Sequence, residues 1–357
     1  MVHTTCCVVE DDKLVKSAQV RLSDERVSAL KHPDFVQVRQ GWGYMKPTIL
    51  FMGTPEFAVP SLDGLLRAGF PVLGVVTQPE RPRGRGRKPS PTPVKAFAGK
   101  AGIAVHEPER VRDGDFLDVF RDMRPDMVVL VAFGQILPRE IIDVPPLGCL
   151  NVHPSLLPRY RGAAPVNRAI MNGDTVTGVS IIAMDEGVDS GDVLLQRETA
   201  IEPEETWGDL SRRLSLMGSE LLVEAVRAVA AGTARRTPQD HALATQAPRI
   251  TPDTGHIDWS RPAEEIVNLI RGLSPKPCAY SFLRDRKLKI YYARAGKEKA
   301  SGEKAPGTLG GLVESGLQVM AGDRHVYLQD VQMEGRKRLP VDLFLRGFPL
   351  SYDDILE

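Results

Sequence analysis

Neither sign of charge is in excess: 46 lysines and arginines stand against 46 aspartates and glutamates, a formal net charge of zero. Overall charge therefore advertises no nucleic-acid partner, and any basic footprint must be local. Cysteine is scarce. Cys6, Cys7, Cys149 and Cys278 are the only four, and none are paired at CxxC spacing, which fits a reduced protein without structural zinc. No apolar run approaches the roughly 20 residues of a membrane span. The N-terminus has no signal-type apolar stretch, so the expected compartment is the cytoplasm. Two nucleotide motifs are also missing. After the first predicted strand, Gly53 runs straight into Thr54-Pro55-Glu56-Phe57, and neither GxGxxG nor GxxxxGK[ST] occurs. NAD binding has no basis here.

What is present is an alternation of strand and helix patterns. With 357 residues, 42% hydrophobic and 26% charged, the chain is an ordinary soluble one, long enough for two domains. Residues 1–44 fit nothing that follows; they are mixed polar and apolar, with a short helix expected at 23–31. They are read as a disordered extension or the product of an upstream start codon. Thr48 to Met52 is a continuous apolar run, as in a parallel strand covered on both faces. Further strands are predicted at 71–77, 126–132, 150–153, 179–184 and 193–195. Helices are predicted at 57–68, 93–100, 115–123, 138–142, 166–171 and 205–231. This alternation predicts an α/β domain over 45–232, a Rossmann-like, doubly wound and mostly parallel sheet. Residues 233–250, with few bulky apolar side chains, read as a linker. Over 251–357 a helix is expected with Ser260 as N-cap and Pro262 in its first turn. Short strand patterns with Gly turns follow at 279–283, 287–293, 307–313, 316–321 and 325–331, which predicts a small OB-like β-barrel.

Three polar residues stand where the apolar pattern breaks off. Asn151 and His153 close the strand at 150–153, and at period two they point to one side. Asp189 sits in a Gly-flanked turn after the strand at 179–184. If the two strands are neighbours, an amide, an imidazole and a carboxylate meet at the carboxyl ends of the strands, where open α/β sheets bind ligands. Asn and a protonated His can donate to a developing oxyanion while Asp orients the His, a set suited to acyl-type transfer to an amine. Taken singly, each residue has a plain structural explanation as a strand end or turn former.

Two loops add to the site. Residues 79–93, PERPRGRGRKPSPTP, place five basic residues (Arg81, Arg83, Arg85, Arg87 and Lys88) among glycines and prolines expected to forbid helix or strand. A loop of this kind can be a solvated surface segment or a mobile grip on phosphates. Leu130 to Pro138, LVAFGQILP, leads from a buried strand into a short loop of small and apolar residues.

The string Asn151-Val152-His153-Pro154-Ser155-Leu156-Leu157-Pro158-Arg159-Tyr160-Arg161-Gly162-Ala163-Ala164-Pro165 closely resembles the signature of the folate-dependent formyltransferases. Met184-Asp185-Glu186-Gly187-Val188-Asp189-Ser190-Gly191-Asp192 matches that family's second motif, and the resemblance runs from about Met45 to near the C-terminus. It implies formyl transfer from 10-formyltetrahydrofolate, without a metal, by direct attack of an amine, with Asn151, His153 and Asp189 as the catalytic residues. It implies a folate pocket walled by Phe133, Gly134, Ile136, Leu137, Ser155, Leu156, Leu157 and Pro158. The loop with Arg81, Arg83, Arg85, Arg87 and Lys88 would enter the acceptor-arm region of initiator tRNA, with Arg85 matching the arginine of the family's GRG element. The expected acceptor is the α-amino group of methionine on that tRNA, rather than a small amine such as glycinamide ribotide or an amino sugar, and the expected state is a monomer. An inactive RNA-binding relative is the remaining alternative. Pro154 stands where some relatives carry Gly.

Overall fold

The computed structural model describes residues 46–80, 82–83, 88–299, 304–351 and 354–357, together with two short antiparallel strands, Val9–Glu10 and Lys13–Leu14. The helix expected at 23–31 and the extension reading of 1–44 lie outside the described residues.

The first part of Lys46–Glu357 follows the predicted alternation. Its elements in order are β1 (Ile49–Gly53), α1 (Val59–Arg67), β2 (Val72–Val76), α2 (Pro93–Lys100), β3 (Val105–His106), α3 (Gly114–Met123), β4 (Met127–Val131) and α4 (Arg139–Ile142). Then come β5 (Cys149–His153), α5 (Pro165–Met171), β6 (Val176–Ala183), β7 (Val193–Ala200) and α6 (Trp207–Ala230). The seven strands form one sheet in the order β7-β6-β5-β4-β1-β2-β3. Pairings from β5 through β3 are parallel, whereas β6 runs antiparallel to both β5 and β7. The strand order reverses beside β1, so a crevice opens at the carboxyl ends of β1 and β4.

Period-two burial divides β5 between two cores. Leu150 and Val152 join the cluster under α6, while Cys149 belongs to the opposite cluster with Phe133, Leu137 and Ile141. Asn151 and His153 share that second side. Helix α6 starts with a capping box between Thr206 and Asp209 and buries Leu210, Leu214, Leu221, Leu222 and Val226. Gly218 lets it approach the strand: a Cβ there would lie 2.8 Å from Val152 Cγ1, directly beneath the strand that carries Asn151 and His153.

In the second part, α7 (Ala263–Leu273) is followed by β8 (Ala279–Leu283), β9 (Arg286–Lys299), β10 (Leu309–Val313), β11 (Gly316–Met320), β12 (Arg324–Met333), β13 (Leu339–Pro340) and α8 (Val341–Arg346). All pairings are antiparallel, in the order β8-β9-β12-β11-β10 with β13 alongside β12. Ile266, Ile270 and Leu273 of α7 fill the core beneath. The chain's last residues bridge the two edges: Leu356 N–H donates to Gly307 O, and Glu357 and Phe282 exchange both backbone hydrogen bonds. The sheet is thereby curled toward the barrel that the short strands predicted.

Three local expectations need correction. Ser260 is not the cap of α7. Its hydroxyl donates to Asp258, Pro262 takes the cap position, and the Ala263 N–H is satisfied by Asp323 Oδ1 at 2.8 Å. The basic loop does contain strand: Pro82–Arg83 pairs antiparallel with Lys88–Pro89. Proline tolerates an isolated two-stranded edge because its missing N–H can face away from the partner. Finally, β7 and β9 run well past the predicted 193–195 and 287–293, because backbone pairing extends through residues with no apolar alternation.

Candidate active site

Strands β5 and β6 are neighbours, with Ser180 opposite His153 and Ile182 opposite Asn151. The antiparallel register sets the end of β6 beside the start of β5, Ala183 opposite Leu150, and the turn that follows doubles back to bring Asp189 to Asn151 and His153. Its carboxylate is the hub. Oδ1 accepts from Asn151 Nδ2 at 3.1 Å, and Oδ2 accepts from the Gly162 N–H at 2.9 Å. His153 Nδ1 lies 3.5 Å from the same Oδ2. The other imidazole nitrogen, Nε2, donates to the Tyr160 carbonyl at 2.9 Å. That bond orients the ring and leaves the Nδ1 edge toward Asp189. Asn151 and His153 are 6% and 4% exposed, so these contacts operate with little water between them.

The turn and loop that hold this hub, and the end of β4 beside them, are held under strain. Ala132, Tyr160 and Asp189 have φ of 47°, 61° and 51°, a left-handed conformation unusual for residues with a side chain. Gly191 makes the turn possible, since a Cβ there would fall 1.9 Å from the Ala183 carbonyl oxygen. The loop after β5 is pinned from several sides. Ser180 Oγ donates to Ser155 O at 2.6 Å and accepts from Leu157 N–H at 3.1 Å, while Gln196 Nε2 donates to Leu157 O at 2.8 Å. Tyr160 hydroxyl donates to Asp174 at 2.7 Å. Burial, then that bond to Asp174, pushes its ionisation above the usual phenol range.

A cavity of about 330 Å³ opens at the crevice beside β1 and β4, lined by Gln78, Glu109, Arg110, Val111, Arg112, Gly134, Gln135 and Ile136. Thr54 Oγ1 and Gln78 Nε2 both donate to the Phe133 carbonyl, at 2.9 and 3.3 Å, and so hold the wall. Of the eight pocket residues expected, Gly134 and Ile136 line this cavity, with Ile136 80% exposed. Phe133 and Leu137 point into the apolar core behind it. Ser155, Leu156, Leu157 and Pro158 are not among its lining residues: Ser155 and Leu157 are buried, and Leu156 and Pro158 half-buried. Arg81, Arg85 and Arg87 lie outside the described residues; Arg83 and Lys88 are paired in the short hairpin.

The sequence did not mark Gln78, Thr54, Glu109–Arg112 or Gln239 as site residues. Gln239 is 8% exposed and hydrogen-bonds to the turn that carries Asp189. Nothing local signals these positions, because each is brought in by tertiary contact.

A family model described as formyl transferase matches residues 45–226, and one described as formyl transferase, C-terminal domain, matches residues 249–349. The methionyl-tRNA formyltransferase of Syntrophus aciditrophicus is 52% identical over 311 residues, covering 87% of this chain and 99% of that relative. Its counterpart in Geotalea daltonii is 46% identical over 303 residues, covering 85% of this chain and 96% of the relative. HypX from Aquifex aeolicus, solved in complex with tetrahydrofolic acid, aligns with a TM-score of 0.60 at 17% identity, over 88% of this chain and 51% of HypX. An N-formyltransferase from Helicobacter canadensis, solved with folinic acid and dTDP-3-aminofucose, gives 0.58 at 19% identity, over 80% of this chain and 99% of that one. At those identities the two structures speak for the fold alone. The two family models, matched in order along the chain, and the identity to relatives over nearly their whole length place this chain in the formyltransferase family, among the methionyl-tRNA formyltransferases.

Proposed function

We propose that this protein moves the formyl group of 10-formyltetrahydrofolate to the α-amino group of methionine on initiator tRNA. The observation that carries the reading is the convergence of the buried Asn151 and His153 on the half-buried Asp189 carboxylate at the end of β5. The amine lone pair attacks the formyl carbon, and the carbonyl electrons move onto oxygen. Asn151, through its second amide N–H, and His153, through an Nδ1–H that makes no hydrogen bond to Asp189 at 3.5 Å, donate to that oxyanion. Asp189 holds both donors in place and receives or relays the ammonium proton. Collapse breaks the bond to folate N10, which leaves protonated.

The flat pterin occupies the cavity beside Gly134 and Ile136, a mostly preformed cleft with polar groups at its rim. Phe133, Leu137 and Ser155 to Pro158 shape the site from behind. In this reading residues 45–232 form the catalytic domain, 233–250 join it to the second, and 251–357 support the tRNA. The basic loop with Arg81, Arg83, Arg85, Arg87 and Lys88 grips the acceptor arm, where guanidinium groups meet phosphates and unpaired bases. No described helix is long and apolar enough to cross a membrane.

The test is formyl transfer to three acceptors: methionyl initiator tRNA, methionyl elongator tRNA and glycinamide ribotide. Strong preference for the initiator is expected. Transfer only to the small amine would overturn the tRNA assignment and leave the chemistry standing.

A further inference from the structure

Residues 237–247 lie within the stretch that composition marks as a linker, yet they are strapped across the site. Thr237 and Val193 exchange both backbone hydrogen bonds at 2.9 Å. Arg161 N–H donates to Thr245 O at 2.8 Å, and Ala247 N–H donates to Arg161 O at 2.7 Å. Between these two anchors sits Gln239. Its amide nitrogen donates to the carbonyls of Asp189 at 2.9 Å and Gly191 at 2.7 Å. Its amide oxygen accepts from Arg161 Nε at 3.1 Å and Nη2 at 2.7 Å. Arg161 is 7% exposed and makes its third side-chain contact with His241 Nδ1 at 3.1 Å, with no carboxylate partner among the described residues.

We infer that Gln239 is a positioning residue for Asp189, acting with Arg161 as a clamp. This rests on the catalytic reading of Asp189 given above. The chemistry favours an amide at this position. Two carbonyls need donors while one guanidinium fork needs an acceptor, and only a side chain with both an NH₂ and a carbonyl supplies the set. The clamp acts where positioning is hard. Asp189 has a left-handed φ of 51°, a conformation that persists only when its surroundings over-determine it. Arg161 precedes Gly162, whose N–H binds the Asp189 carboxylate, so the clamp fixes both the turn that presents the carboxylate and the loop that binds it. The segment leading to the second domain thus sets the geometry of the catalytic carboxylate.

The test is a double-mutant cycle between Gln239 and Asp189, read by steady-state formyl transfer with the full chain. Gln239→Met removes both halves of the clamp. Gln239→Glu keeps the acceptor for Arg161, and so keeps the strap attached, but sets an oxygen against the two carbonyls. Each is expected to lower kcat about tenfold, with KM for folate and tRNA within twofold. In an Asp189→Asn background the same changes are expected to cost less than twofold, because a residue that acts through Asp189 has nothing left to position. Equal losses in both backgrounds, or a change confined to KM, would overturn the inference and leave the formyl-transfer reading intact. Unaltered enzyme is assayed first; absence of transfer there would overturn the reading and the inference together. If Gln239→Met fails to fold, Gln239→Glu decides alone.

Discussion

Replacing Asp189 by asparagine is the perturbation whose consequence follows most directly from the geometry. The carboxylate accepts from Asn151 on one oxygen and from Gly162 on the other, with His153 Nδ1 facing the second. An amide of the same shape has one accepting atom. With its oxygen toward Gly162 and His153, its NH₂ faces the Asn151 NH₂, two donors in opposition. Asn151 relieves this by turning its own amide over, which carries its N–H groups away from the oxyanion. The substitution also removes the negative charge beside the imidazole. Hydrogen bonds to charged groups contribute about 1.5–3 kcal/mol each. Loss of two such contacts in the transition state costs about 4 kcal/mol, or about a thousandfold in rate. Folding should survive, since the side chain keeps its size and its Gly162 contact. The assay is single-turnover transfer of labelled formyl to methionyl initiator tRNA, with folate binding measured separately. A loss of less than tenfold, or one accounted for by weaker folate binding, would refute the hub role.

Arg85→Ala, in the basic loop, should raise KM for tRNA and lower the slope of log KM against log salt by about 0.7–0.9, the share of one phosphate contact; an unchanged slope would count against phosphate binding by this residue. Cys149 is buried, and burial reinforced by nearby Asp143 pushes its thiol up to about 12, so native enzyme at pH 8 should alkylate there far more slowly than unfolded chain, read by mass spectrometry of the Cys149 peptide. Asp354 is held below its ordinary value of 3.8, chiefly by the Arg284 hydrogen bond. A depressed carboxylate stabilises the fold above the unfolded-state value and loses that contribution as pH falls through the folded one. Asp354→Asn should therefore lower Tm at pH 7 by a gap that narrows as pH falls below 3.8; a pH-independent gap in Tm would contradict this.

Much of the fold was legible because its signals are local. Helix α2, Pro93–Lys100, and strand β8, Ala279–Leu283, fall on their predicted bounds, where proline, apolar periodicity and turn residues agree. What escaped prediction depends on distant partners. Strand β3, Val105–His106, exists because β2 offers an edge. Helix α7 is capped by Asp323, about sixty positions away in sequence, so Ser260 looked like the better cap. The site divides in the same way. Asn151 and His153 were readable from period two; their meeting with Asp189 needed β6 beside β5 and also a turn that doubles back through the left-handed Asp189 and Gly191. Gln239 lies in a stretch whose composition reads as linker, and its role comes entirely from hydrogen bonds to Arg161, Asp189 and Gly191.

The central claim is that the side chains gathered on Asp189 perform the formyl transfer. The most direct measurement is the single-turnover transfer rate of Asn151→Ala beside its equilibrium affinity for folate. The account predicts a rate about 100- to 1000-fold lower, as for loss of one oxyanion donor, with folate affinity unchanged. A variant that keeps its transfer rate and loses only affinity would contradict it.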